Sequence, residues 1–169
     1  TFSNANTVVL DVNSLTFVNG TVGFAGGTSS YSAHACVSKT EDGGRTWRNV
    51  WPDSGYWAGG YLIAGMALVG DTTLWAVYDD NVVVIDARAD TVLRTMIEFG
   101  IDVARCYDRI ITDIEIIDDS IIVMSVCNGV LLSTNAGSQW RYVEVAPGKP
   151  SRVSFSDRWH GFLLFGRGG

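Results

Sequence analysis

TEDGGRTW, residues 40–47, returns 93 positions later as STNAGSQW, residues 133–140. Both stretches read hydroxyl, x, Asp or Asn, x, Gly, x, x, Trp. The first copy supplies Thr40, Asp42, Gly44 and Trp47, and the second Ser133, Asn135, Gly137 and Trp140. Midway between them, DARADTVL (residues 86–93) holds the same slot in degraded form, with Arg88 in place of the acid and Asp90 in place of the glycine. The steps are 46 and 47 residues. A period in this range marks propeller blades of four short strands.

The segments ahead of each copy carry the same message. LTFVNGTVGFAGG (15–27), MALVGDTTLWAVY (66–78), IEIIDDSIIVMSV (114–126) and RVSFSDRWHGFLLFG (152–166) each run as an apolar strand, a polar turn and a second apolar strand. Their turns hold Asn-Gly, Gly-Asp, Asp-Asp and Ser-Asp, the residue types that tight hairpins prefer. No stretch sustains a 3.6-residue apolar period with helix caps, so little helix is predicted. The reading is an all-β propeller of about four blades, with approximate bounds 15–52, 62–97, 110–147 and 151–169. The fourth stops before its box. Three closures are open: the strand Thr7–Val12 completes the fourth blade, the chain is part of a larger propeller, or several chains form the ring. Closure of some kind is required to hide sheet edges.

The two intact copies resemble the Asp-box, or BNR repeat. The wider pattern, carried by Phe17, Gly23, Phe24 and Gly26 and again by Phe155, Gly161 and Phe162, is similar to the photosystem II assembly-factor-like (Ycf48-like) propellers. The same box occurs in sialidase- and sortilin-type propellers. The resemblance covers roughly residues 15–166 and implies a fold more than an activity. It implies a scaffold role for the eight box residues. Asp42 would accept turn amides as Asx turns do, Gly44 would take a left-handed conformation, and Trp47 would tuck under the hairpin. The altered middle copy is expected to lack this bonding.

Composition sets limits on partners. Nineteen glycines, three prolines, 47% apolar residues and a net charge of −6 describe a globular chain without the Lys and Arg clusters that a nucleic-acid backbone demands. No apolar run reaches the roughly 20 residues of a membrane helix, so no membrane insertion is expected. Cys36, Cys106 and Cys127 match no zinc spacing. Buried free thiols are favoured over a Cys106–Cys127 bridge, and no metal or cofactor is expected. The sequon Asn19-Gly20-Thr21 is read as a hairpin turn.

Catalysis finds little support. Sialidases place an arginine triad, a Tyr-Glu pair and an acid Asp about the axis, and their F/Y-R-I-P motif is absent. The glutamates are Glu41, Glu98, Glu115 and Glu144, and the pairs Asp79-Asp80 and Asp118-Asp119 fall in turns rather than at the separation glycosidases need. Neither His34 nor His160 has a triad context. The binding candidates lie between blades. WPDSGYWAGGY (51–61) offers Trp51, Tyr56, Trp57 and Tyr61, either as a recognition surface or as inter-blade packing. IDVARCYDR (101–109) brings Arg105 and Arg109 near Tyr107. The functional reading is a non-catalytic module with a protein partner or larger assembly, homo-oligomers included, in an extracytoplasmic or particle-associated setting. The alternative is a glycan-binding or glycan-processing propeller fragment.

Overall fold

In the computed structural model, residues 9–29, 34–51, 62–94, 111–126, 128–145 and 150–166 are described. They form fourteen strands and no helix. The first sheet holds β1 (Val9–Phe17), β2 (Gly23–Ser29), β3 (Ala35–Thr40) and β4 (Arg48–Trp51). The second holds β5 (Gly65–Val69), β6 (Thr73–Tyr78), β7 (Asn81–Asp86) and β8 (Thr91–Arg94). The third holds β9 (Ile111–Ile116), β10 (Ile122–Val126), β11 (Gly129–Ser133) and β12 (Arg141–Glu144). The fourth contains only β13 (Pro150–Phe155) and β14 (Gly161–Phe165). Each is an antiparallel meander in sequence order.

The hairpins between first and second strands of the first, third and fourth sheets share one device. Asn19 Oδ1 accepts the amides of Thr21 and Val22, both at 2.9 Å. Asp118 Oδ1 accepts Ser120 and Ile121 at 2.8 and 2.9 Å, and Asp157 Oδ1 accepts Trp159 and His160 at 2.7 and 2.9 Å. A short polar side chain thus replaces a backbone acceptor in each turn, the Asx solution.

Strand alternation gives each sheet two apolar faces, and consecutive sheets bury them against each other. Phe24, Val37 and Trp51 pack on Met66, Leu74, Tyr78 and Ile85. Trp75, Val77 and Val84, from the opposite face of the second sheet, pack on Ile114, Ile122 and Met124. Val123 and Val130 then pack on Val153. Each fully buried side chain of this size contributes about 1.5–3 kcal/mol, so the joints between sheets are the core. The first strands neighbour one another in turn, β1 beside β5, β5 beside β9, and β9 beside β13. This is an arc of blades with three joints.

The strand expected over Thr7–Val12 does not complete the fourth blade in the described residues. Val9–Phe17 is one strand paired with β2, bent by register shifts between Val9 and Asp11 and between Val12 and Ser14. Its residues are the innermost strand of the first sheet, and the fourth sheet has two strands.

Candidate functional site: an apolar groove on the third sheet

The two repeated turns are built alike, bond for bond. Thr40 Oγ1 donates to Asp42 Oδ1 at 2.9 Å and accepts the Gly44 amide at 2.9 Å. Asp42 Oδ1 accepts the Thr46 amide at 2.8 Å, and the Trp47 indole donates to the Gly44 carbonyl at 3.1 Å. In the third sheet Ser133 Oγ donates to Asn135 Oδ1 at 3.0 Å and accepts the Gly137 amide at 2.9 Å. Asn135 Oδ1 accepts Gln139 at 2.8 Å, and Trp140 donates to the Gly137 carbonyl at 3.1 Å. The Thr46 amide and hydroxyl hold the Asp42 carboxyl down at about 2. Gly44 and Gly137 sit at φ +89° and +79°, where a Cβ is strained. Gly137 also meets the Trp75 ring, which lies 2.4 Å from where its Cβ would be.

The middle turn is bonded differently. Asp86 Oδ1 takes the place of the hydroxyl and accepts the amides of Arg88 and Ala89 at 2.8 and 2.9 Å. Asp90 stands at φ +55°, in the slot that glycine holds elsewhere. Its carboxylate reaches back to the first sheet, where Lys39 Nζ donates to it at 2.8 Å and Arg48 donates to its other oxygen. Lys39 Nζ also donates to the Ala87 carbonyl at 2.9 Å. The Asp that breaks the repeat therefore ties two sheets together.

All eight box residues are thus occupied within their own turns. Among the binding candidates, Trp51 is buried, with its ring centroid 5.0 Å from that of Tyr78. For this residue the geometry is that of inter-blade packing and corrects the surface alternative. Tyr56, Trp57, Tyr61, Arg105, Tyr107 and Arg109 lie outside the described residues, as do Cys106 and Cys127. Cys36 is buried, and desolvation pushes its thiol up to about 12.

Two buried-side carboxylates of the third sheet are held by backbone amides of the fourth. Asp113 Oδ2 accepts the Val153 amide at 3.0 Å, and Glu115 Oε1 accepts the Phe155 amide at 2.9 Å. Burial raises both carboxyls. Their role in this geometry is to satisfy the edge of β13 that faces away from β14, an edge that would otherwise present unpaired amides. Asp118 is held well below the usual range by the Ser120 hydroxyl and amide, with Arg158 adding an ion pair at 2.8 Å. Among the described residues no three His, Cys, Asp or Glu side chains group as a metal site, and no helix is long and apolar enough to cross a membrane.

Among the described residues, the outer half of the third sheet stands open. The fourth sheet covers only the inner strands of its neighbour. Beyond it lies a groove of about 480 Å³ floored by Val123, Val130, Leu132 and Val143 and walled by Phe155. Arg141, Arg158 and the exposed Trp159 form its rim. In the described residues β14 has a strand on one side only. An apolar floor beside an unpaired strand edge is the geometry that accepts an added strand.

No protein-family model matches the chain, and no curated protein matches it. Among solved structures it is similar to one described as YCF48 bound to D1 peptide, with a TM-score of 0.62 and 15% sequence identity. The match covers 88% of this chain and 45% of that one, so the chain spans less than half the length of the structure it resembles. The likeness establishes the fold. The chain is an all-β propeller arc, in whose described residues three four-stranded blades are followed by a two-stranded one.

Proposed function

We propose that this chain is a non-catalytic propeller module that binds a protein segment in extended form, and that its repeated turns are Asp-boxes serving as scaffold. The observation that carries the reading is the apolar groove over Val130, Leu132 and Val143, walled by Phe155 of the fourth sheet, in which β14 has a strand on one side only among the described residues. A bound strand would hydrogen-bond to the other side of β14 and lay alternate apolar side chains on the groove floor, the division of labour in strand addition. The similar propeller is described with a peptide bound, which supports a protein partner here. Catalysis gains nothing from the carboxylates, because the perturbed ones are engaged by backbone amides. Tyr56, Trp57, Tyr61, Arg105, Tyr107 and Arg109 are retained as further contacts for the same partner. A glycan remains the competing ligand.

The test is a displayed library of short peptides with alternating apolar and polar residues, selected on the protein in parallel with a Val143→Glu variant. Enrichment of extended sequences by the parent, lost in a variant with an unchanged circular dichroism spectrum, supports the reading. Equal enrichment by both proteins, or none, refutes it. Binding on a glycan array without peptide enrichment establishes the alternative.

A further inference from the structure

A motif that the groove does not use is Asn19-Gly20-Thr21. These residues form the exposed tip of the hairpin between β1 and β2. Asn19 Oδ1 accepts three hydrogen bonds there, from the Thr21 amide, the Thr21 hydroxyl and the Val22 amide, each at 2.9 Å. Gly20 has open space where a Cβ would stand. The exposure belongs to the turn and not to its place in the arc. In the second sheet, which packs against a sheet on each face, the matching tip of Gly70, Asp71 and Thr72 is exposed too.

An Asn followed by Gly can turn its side-chain amide into an acid without an enzyme, because Gly leaves its own backbone nitrogen unshielded. That nitrogen attacks Cγ, and the new C–N bond closes a cyclic imide. Ammonia leaves, taking up the proton that the nitrogen gives to solvent, and water then opens the imide at either carbonyl. During the attack, negative charge gathers on Oδ1. In this turn that atom already faces three donors, the arrangement that stabilises a developing oxyanion. We propose that Asn19 is a self-modifying site, converted to an acid by attack of the Gly20 nitrogen and then of water. The aspartyl product has a place prepared for it. Asp118 holds the same position in the third sheet and accepts the same kinds of donor, the Ser120 amide, the Ser120 hydroxyl and the Ile121 amide, at 2.8, 2.7 and 2.9 Å. The isoaspartyl product, whose main chain runs through the side chain, lengthens the turn by a methylene. It displaces the Thr21 carbonyl, which accepts the Gly43 amide of the first box at 2.8 Å.

The chain holds a second Asn-Gly, Asn128-Gly129, in a different setting. Asn128 is exposed, but Gly129 is a buried residue of β11, opposite Val126 on one side and Glu144 on the other. The Val143 carbonyl stands where its Cβ would go. Its nitrogen cannot swing toward Cγ of Asn128 without breaking the ladder. The same dipeptide in two settings separates the geometry from the sequence.

The test is peptide mass mapping of the full chain held for days at mildly alkaline pH. Asn19 is expected to gain the mass of an acid while Asn128 stays an amide, and in urea the two should convert at similar rates. Thr21→Val removes the hydroxyl donor and should slow conversion of Asn19 roughly two- to tenfold, the worth of one hydrogen bond. Gly20→Ala should slow it too, by shielding the attacking nitrogen. Asn19→Asp should melt with the parent. Equal conversion of both sites in the folded chain, an Asn19 that converts more slowly folded than in urea, or a Thr21→Val variant as fast as the parent overturns the proposal.

Discussion

Asp90→Asn asks whether the acid that interrupts the repeat earns its place as an inter-sheet tie. Lys39 is 3% exposed, and its ammonium has Asp90 at 2.8 Å, the Ala87 carbonyl at 2.9 Å and Glu41 at 3.3 Å. Removing one partner of a fully buried ion pair costs about 3–5 kcal/mol. Asp90 is partly exposed and Glu41 persists nearby, which places the loss nearer the about 1.5–3 kcal/mol of a hydrogen bond to a charged group. Asn tolerates the left-handed backbone as Asp does, so the change isolates charge from strain. Urea unfolding followed by tryptophan fluorescence should show a drop of about 2 kcal/mol at an unchanged m-value. Lys39→Met in the same background should recover part of it, because the unpaired buried charge is then gone. Stability of Asp90→Asn within about 0.5 kcal/mol of the parent, the range of a surface substitution, would refute the tie.

Asp42→Asn should leave the protein folded, since Asn135 fills the same role in the third sheet. The Asp42 carboxyl is held at about 2 against an ordinary 3.8, so its contribution is complete above the ordinary value and lost as pH falls through about 2. Acid titration of the parent should show that loss, and the variant should lack it; identical acid profiles would count against the assignment. Gly137→Ala meets both a φ of +79° and the Trp75 ring, and should cost more than the about 1–2 kcal/mol of left-handed strain alone, whereas Gly20→Ala, with open space around it, should be near neutral. Equal melting temperatures for the two would contradict the close approach. Tyr56→Ala with Trp57→Ala should weaken capture of the selected peptides while leaving the melting temperature nearly unchanged; a sharp fall in melting temperature would make these rings core.

The repeat made the blades legible because its residue types have few alternatives. A hydroxyl, an Asx and a glycine at fixed spacing describe one turn, and the two intact copies form the same bonds in space. The degraded copy lacks the bonding of the intact ones, as its residue types imply, and the bond set that replaces it is what the local pattern does not carry. Asp86 caps the turn and Asp90 reaches Lys39 across 51 positions, a partnership that no local pattern carries. Trp51 shows the converse difficulty. An aromatic beside a glycine-rich stretch has the same local signature whether its ring is buried or exposed, and only the neighbouring sheet, through Tyr78, decides. Of the closures that the sequence leaves open, the one through Thr7–Val12 is not the pairing found for Val9–Phe17, because apolar residues at that spacing suit either an inner or an outer strand. Pairing with β2 is a property of the tertiary fold.

Among the described residues β14 is paired on one side only, and amide hydrogen exchange resolved along β10 and β14 tests this most directly. Every amide in β10 lies between two strands and should exchange slowly. In β14, Gly161–Phe165, alternate amides face β13 and open solvent, so protection should alternate along the strand. Peptides that bind the groove should slow the fast set. Uniform protection of β14 in the free protein, equal to that of β10, would mean that its edge is already paired, and the account would fail.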